Sequence, residues 1–139
     1  MADFSYLPSA PVPGHGLKAA GYVIENSGTL ATGALALNKT SALVRVPKGF
    51  KLAGVRFRIG DADSNGSATF AFTVGDVADP DRIITTSTAG QAGGEVTALA
   101  DSGFLHEFAA DTDIILTATT AAATAQAAAF KIALIGTLS

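Results

Sequence analysis

Residues 51–75 contain two runs in which apolar and polar side chains alternate, separated by the polar segment 61–66. The apolar positions are Ala53, Val55, Phe57 and Ile59 in the first run, then Ala68, Phe70, Phe72 and Val74 in the second. The intervening positions are Leu52, Gly54, Arg56 and Arg58, then Ser67, Thr69, Ala71 and Thr73. A period of two places these sets on opposite faces of a β-sheet. The segment is therefore predicted to form a hairpin of two strands, with both arginines on its outer face.

Six further segments have the character of strands: residues 17–24, 41–46, 82–88, 103–109, 113–120 and 127–136. Fifteen glycines and fifteen threonines favour strands and turns. Residues 25–40 are predicted to be a long connection, with or without a short strand at 34–37, and residues 89–95 a loop. The alanine tract 121–129 favours a hairpin turn over a short helix, because it lies between two β-branched strands. The predicted fold class is all-β: a single antiparallel β-sandwich, jelly-roll or immunoglobulin-like, of about eight strands.

The N-terminal residues 1–16 are predicted to form an extended arm, and residues 17–139 the β-sandwich domain. Three prolines in the arm, Pro8, Pro11 and Pro13, cannot donate hydrogen bonds to a β-ladder. The arm also carries the apolar side chains Phe4, Tyr6 and Leu7. These side chains either pack back on their own domain or reach across to a neighbouring subunit.

No targeting or membrane-spanning segment is expected in this sequence. Asp3 stands where a signal peptide would carry a basic residue, and prolines interrupt the apolar run that follows. The longest uncharged stretch near the C-terminus, residues 114–130, is diluted by threonines and Gln126. The chain contains no cysteine, so its stability must come from packing or from partners. We expect a protein that folds in a cytoplasm.

Six of the nine basic residues fall within an interval that contains no acid: Lys39, Arg45, Lys48, Lys51, Arg56 and Arg58. If residues 41–46 pair with residues 51–60, Arg45 shares an outer face with Arg56 and Arg58. Such a face is either solvated, with counter-charges on neighbouring strands, or complementary to acidic loops of a partner. Arg45, Arg56 and Arg58, together with Phe4, Tyr6 and Leu7, are the candidate interface residues.

The segment Asp61–Gly66 is the part of the sequence that most resembles a metal site, because it matches the first half of a calcium-binding loop. An EF-hand would place a glutamate where this chain has Phe72, and a tight turn also prefers Asp, Asn and Gly, so a turn is the favoured interpretation. His15 and His106 have no partner at metal-ligand spacing, and no nucleophile or nucleotide-binding motif is present. We expect no catalytic residue, no cofactor and no bound metal. The absence of tryptophan argues against a sugar-binding face or a base-stacking platform.

Several stretches of the chain resemble small β-sandwich proteins of tailed bacteriophages, in particular capsid decoration proteins, also called head-stabilising or cement proteins. The resemblance covers roughly residues 41–138. It rests on residues 46–50 leading into 51–60, a phenylalanine-rich strand ending at Gly75-Asp76, the loop 78–83, and residues 112–116 before an Ala/Thr-rich segment.

This resemblance implies a non-enzymatic virion protein, a decoration subunit that stabilises the head shell. It implies two partners, the major capsid protein and other copies of the chain in a homotrimer, and neither nucleic acid nor a membrane. The expected location is the capsid surface, after assembly in the host cytoplasm. A tail or head–tail joining protein remains a second interpretation. A calcium-assisted module that binds sugars or surfaces is the competing hypothesis from another class.

Overall fold

A computed structural model describes residues 20–138. Eight β-strands follow one another along this part of the chain: β1 Ala20–Leu30, β2 Thr40–Val46, β3 Phe50–Ile59, β4 Ala71–Gly75, β5 Ile84–Ser87, β6 Gly94–Val96, β7 Thr112–Thr120 and β8 Ala128–Leu138. Two short 3-10 helices, Thr32–Leu35 and Ala89–Gln91, lie in the connections. The arm predicted for residues 1–16 lies outside the described residues.

The strands form two antiparallel four-stranded sheets. The first sheet has the order β1-β8-β3-β6 and the second sheet has the order β2-β7-β4-β5. Eight strands that alternate between two sheets in this order make a jelly roll. The predicted all-β sandwich is confirmed, and the strand order decides for the jelly-roll alternative over the immunoglobulin-like one.

The predicted hairpins are wrong, because consecutive strands mostly lie in opposite sheets. β3 pairs with β6 and β8, whereas β2 and β4 both pair with β7. Among the described strands, β4 and β5 are the only consecutive pair that is hydrogen-bonded. Alternation identifies the face that a strand buries but not the strand it pairs with. The apolar faces of β3 and β4 therefore meet across the core, where the rings of Phe57 and Phe72 lie edge to face at 5.5 Å.

A β-bulge in β3 changes which residues its first half buries. The register with β8 shifts between Leu52 and Gly54. Leu52 is therefore buried and Ala53 exposed, the reverse of the prediction, whereas Val55, Phe57 and Ile59 are buried as expected. An inserted residue of this kind is invisible to a count of period two, because it changes the phase of the alternation halfway along the strand.

Several element boundaries also differ from the prediction. β1 continues to Leu30, through part of the segment predicted to be a loop, and the three-residue β6 lies in another predicted loop. Residues 103–109, predicted to be a strand, form turns with one isolated bridge between Lys51 and Glu107. The alanine tract is neither a helix nor a hairpin turn, because it connects β7 to β8 in the other sheet.

The core between the sheets is built largely from phenylalanine and branched aliphatic side chains. Phe50, Phe57, Phe70 and Phe72 are fully buried, and Phe130 and Phe108 pack beside them. Burial of one such side chain contributes roughly 1.5–3 kcal/mol. This core fixes which side chains of β3 and β8 point outward, and those side chains form the surface described next.

Candidate interaction surface

The outer face of the first sheet carries a cluster of three cations, Arg56 and Arg58 from β3 and Lys131 from β8. We call these residues the basic cluster. The strand register places Arg58 beside both Lys131 and Glu95, and Arg56 beside Ala133. The cluster lines an open groove of about 640 Å³, which Glu25 and Ser27 of β1 complete. The sheet thus gathers cations that are 73 residues apart in the chain, from Arg58 to Lys131.

The charges of the basic cluster are only partly neutralised. Arg56 is paired with Glu95, with 2.7 Å between Nη2 and Oε1. Among residues 20–138, no carboxylate lies within 4.0 Å of Arg58 or Lys131. Like charges placed directly opposite each other on neighbouring strands destabilise a sheet. Among the described residues, Glu95 and Glu25 are the carboxylates that line the same groove, and neither is within 4.0 Å of Arg58 or Lys131.

An exposed apolar patch continues the same face beyond the basic cluster. Val23 of β1 pairs with Ile135 of β8, which in turn lies beside Gly54 of β3. Val23 is 60% exposed and Ile135 is 41% exposed. Gly54 adds no side chain, so the flank of Ile135 stays open. Cations beside uncovered apolar side chains are a combination that suits a protein partner, because the core of an interface is apolar and its rim is polar.

Arg45 does not belong to this surface, and the predicted common face of three arginines is wrong. Arg45 lies in β2 of the second sheet, where its Nε is 2.6 Å from Oδ1 of Asp113. The hydrogen bond from Arg45 lowers the pKa of Asp113, and the same contact raises the pKa of Arg45. Both side chains are exposed, so solvent screens the pair and it contributes little to stability. The other three candidate interface residues, Phe4, Tyr6 and Leu7, lie outside the described residues.

The segment predicted as a calcium half-loop is held together by Asp63. The Asp63 side chain is 1% exposed, and its two oxygens accept five backbone N–H groups, at distances of 2.8–3.2 Å. The donors are Asn65, Thr69, Phe70, Ala123 and Thr124. Burial alone would raise the pKa of Asp63, but the backbone hydrogen bonds outweigh it and hold the pKa well below its ordinary value.

This geometry favours the turn interpretation of residues 61–66 over the calcium interpretation. A calcium ion needs several carboxylate or carbonyl oxygens free to bind it, and both oxygens of Asp63 are already occupied by donors. Asp63 instead ties the connection between β3 and β4 to the alanine tract between β7 and β8. No group of three or more His, Asp or Glu side chains within residues 20–138 is arranged to hold a metal ion.

The loop between β4 and β5 carries three acids, Asp76, Asp79 and Asp81, and its own side chains hold it together. Asp76 is buried and receives Nε of Arg82 at 2.7 Å and the backbone N–H of Asp79 at 2.8 Å. Arg82 also lies 3.3 Å from Nδ1 of His106, whose ring contacts Phe108 edge to face. A hydrogen bond between Asp81 and Asp79 raises the pKa of Asp81. The contacts of His106 are therefore packing and hydrogen-bonding contacts within the fold. His15 lies outside the described residues.

Lys131 is the member of the basic cluster that sequence reasoning missed. It follows the alanine tract and is distant in sequence from the acid-free interval that drew attention to Arg56 and Arg58. The alternation in β8 does mark it as an outward residue, since Phe130 and Ile132 on either side are buried. Its position between β1 and β3 comes from the sheet order alone.

The protein is a jelly roll whose first sheet carries the basic cluster and the exposed apolar patch on its outer face. Over 99% of both chains, it is similar to a chain of the cyanophage Pam1 capsid asymmetric unit, with 26% identity and a TM-score of 0.80. A chain of the capsid of Ralstonia phage GP4 matches with 21% identity and a TM-score of 0.68, over 93% of this chain and 90% of that one. The capsid of Helicobacter pylori bacteriophage KHP30 contains a third, with 13% identity and a TM-score of 0.57, over 86% and 91%.

These likenesses agree with the resemblance to bacteriophage capsid proteins found in the sequence. The two chains below 25% identity show the shared fold, and the Pam1 chain adds a likeness in sequence over its whole length. Together they support a structural role in a virion. No family model and no curated protein matches this sequence. Within residues 20–138, no helix is long and apolar enough to span a membrane.

Proposed function

We propose that this protein is a non-enzymatic capsid decoration subunit, which binds the outside of a bacteriophage head and stabilises its shell. The observation that carries the proposal is the match to a chain of a phage capsid over 99% of both chains. Its partners are the major capsid protein and other copies of itself. It is located on the capsid surface, after assembly in the host cytoplasm. A tail or head–tail joining protein is the alternative structural role.

The basic cluster is the surface that contacts the major capsid protein. Arg58 and Lys131 lie opposite each other with no carboxylate within 4.0 Å among the described residues, so carboxylates of a shell protein would relieve their repulsion. Exposed Val23 and Ile135 supply apolar area beside these charges. A desolvated arginine at the centre of an interface contributes on the order of 2 kcal/mol to binding.

We further propose that the protein assembles as a homotrimer. A decoration protein that closes on itself by a threefold axis presents three copies of each docking surface to a shell, and simultaneous contacts increase the overall affinity. The arm residues Phe4, Tyr6 and Leu7 are the proposed contacts between subunits, because they are apolar side chains in a proline-rich segment that cannot form a regular β-ladder along its whole length.

A binding experiment on decoration-free capsids tests the docking surface. The double variant Arg58→Glu with Lys131→Glu should fold normally but bind the capsids at least about tenfold more weakly, and binding of the unchanged protein should weaken as salt increases. A matched control, Lys39→Glu with Lys48→Glu, makes the same change in net charge at two exposed positions away from the basic cluster.

Equal losses of binding in the two double variants would mean that total charge governs binding and that the basic cluster has no special part. Full binding by the Arg58→Glu, Lys131→Glu variant at every salt concentration would refute the docking surface. Failure of the unchanged protein to bind any part of the head, with binding to isolated tails, would favour the alternative role.

A further inference from the structure

The outer edge of β1 is the most open strand edge of the fold. β1 is 11 residues long and stands at the end of the first sheet, with β8 on one side. All 11 of its residues pair with β8 in one unbroken register. Among the described residues, no other strand pairs with its backbone; β2 approaches it through one side chain, since Nδ2 of Asn26 donates a hydrogen bond to the carbonyl oxygen of Leu43 at 2.8 Å. A free edge of this length presents a row of unpaired N–H and C=O groups that can accept another strand.

The other three edges of the two sheets carry features that discourage strand addition, and β1 does not. β6 has three residues and β5 has four, which leaves little length to pair. β2 contains a bulge between Ala42 and Val44 and the charged side chain of Arg45. β1 contains no proline and no bulge, and Glu25 is its only charged residue. Short length and bulges are two usual protections of an edge, and β1 is the only one of the four described edges that has neither, which marks it as a pairing site.

Exposed apolar side chains next to this edge indicate what kind of strand fits there. Tyr22 and Val23 are both exposed and point to opposite faces of β1, while Ile24 is partly buried against the core. A strand with large apolar side chains would therefore cover Tyr22 and Ile24 on the face toward the second sheet. Its backbone would satisfy the free groups of β1 at the same time.

We propose that the free edge of β1 accepts residues 2–7 of a neighbouring copy of this chain as an added strand. This inference rests on the proposed homotypic assembly and names its contact surface. Residues 1–19, which lie outside the described part, lead in sequence directly into β1 at Ala20. Within them, residues 2–7, with the sequence ADFSYL, contain no proline and place Phe4 and Tyr6 at alternate positions. One face of such a strand is apolar and aromatic, which suits the face of β1 that carries Tyr22 and Ile24.

The sequence favours a neighbouring copy over the same chain. To fold back on its own β1, the arm would place residues 8–13 alongside the start of that strand. Pro8 has an even number and Pro11 and Pro13 have odd numbers, so a proline would interrupt the ladder whichever set of residues faced β1. A proline-rich run also favours an extended chain of about 3 Å per residue, which carries residues 2–7 away from their own strand. When each arm reaches the next subunit in the same direction, the contact is heterologous and can close into a ring.

Cysteine cross-linking tests this pairing cleanly, because the chain contains no cysteine of its own. A copy carrying Ser5→Cys and one affinity tag is co-expressed with a copy carrying a second tag and one of Gly21→Cys, Val23→Cys, Glu25→Cys or Ser27→Cys, which lie on the face of β1 that Ser5 would share. All four β1 positions are exposed, so the substitutions should leave the fold intact. The matched control is Thr85→Cys, an exposed position on the β5 edge of the second sheet.

Mild oxidation should give a disulfide-linked pair of differently tagged chains with at least one β1 position, and none with Thr85→Cys. Deletion of residues 2–7 should weaken self-association at least tenfold. A chain carrying both Ser5→Cys and Val23→Cys that forms only an internal disulfide would overturn the inference, since the arm would then cover its own edge. The absence of cross-links at all four positions would overturn it as well.

Capsid binding of the same proteins separates this inference from the proposed function. If cross-links are absent but the protein still decorates capsids, the pairing is wrong and the decoration role stands. If cross-links form but the protein binds no part of the head, the pairing stands and the decoration role is wrong.

Discussion

Asp63 shows how one side chain can determine the shape of two connections. Its carboxylate lies under backbone N–H groups from the β3–β4 connection and from the alanine tract. A carboxylate that accepts several backbone N–H groups is strongly stabilised in its charged form. The pattern of aspartate, asparagine and glycine that resembles a calcium loop thus serves the backbone of the protein itself.

Replacing Asp63 by asparagine should lower the melting temperature by at least about 5 °C, because an amide brings N–H groups toward donors that need acceptors. Loss of the charge should also change the response to acid. The pKa of Asp63 is lowered in the folded state, so its contribution to stability is present above the unfolded pKa of about 4 and is lost as the pH falls below it.

Calorimetry between about pH 6 and pH 2 measures both effects. The unchanged protein should lose stability below about pH 4, and the Asp63→Asn variant should lose less over the same interval. Asp101→Asn, which changes an exposed carboxylate on a loop, serves as the control. Parallel acid curves for the unchanged protein and the Asp63→Asn variant would show that Asp63 does not drive the acid transition.

At the scale of the elements, the alternation in β3, β4 and β8 reports burial, and the bulge in β3 modifies it. The bulge lies where β3 passes Gly136 of β8, with Leu52 and Gly54 on either side of the register shift. Gly136 is needed there because of close approach: a Cβ atom would overlap the carbonyl oxygen of Lys51 and come within 2.9 Å of Cζ of Phe50. Backbone and a fully buried ring leave little room to adjust.

The variant Gly136→Ala should therefore destabilise the protein by about 1–3 kcal/mol, through overpacking of the β3–β8 contact. Gly21→Ala in β1 is the matched control, because a Cβ atom at Gly21 meets no atom within 4 Å. Urea unfolding of the two variants gives the comparison. Equal stability of the two variants would mean that the bulge region adapts more easily than its packing indicates.

At the scale of the whole molecule, the exposed face of the first sheet and the free edge of β1 lie next to each other. Val23 belongs to both, since it lies on the outer face and in the edge strand. A monomer would leave this apolar area in water, and association with other copies would cover part of it. We therefore expect the isolated protein to associate with itself, and the proposed assembly is a trimer.

Light scattering at micromolar concentration should return three times the chain mass of 13.9 kDa. Removal of residues 1–13 should shift the mass toward that of one chain, because it removes the proposed contacts at Phe4, Tyr6 and Leu7. A full-length protein with the mass of a single chain would contradict the proposed assembly.

The sequence by itself determined the all-β class, the positions of β2, β3 and β7 to within two residues, and most of the buried residues of β3. These properties depend on alternation and β-propensity, which are determined by residues close together in the sequence. It also marked Arg56 and Arg58 as outward residues, and the structure places both on one outer face.

Only the tertiary structure decided which strands pair. Hydrogen-bonded neighbours in a jelly roll are distant in sequence, as β1 and β8 are, and one alternating strand pairs as well as another until a shared core selects the partner. That selection moved Arg45 to the second sheet, brought Lys131 beside Arg58, and left the far edge of β1 without a paired strand among residues 20–138. A bulge shifted the start of β3 for the same reason, since its register depends on a strand some 80 residues away.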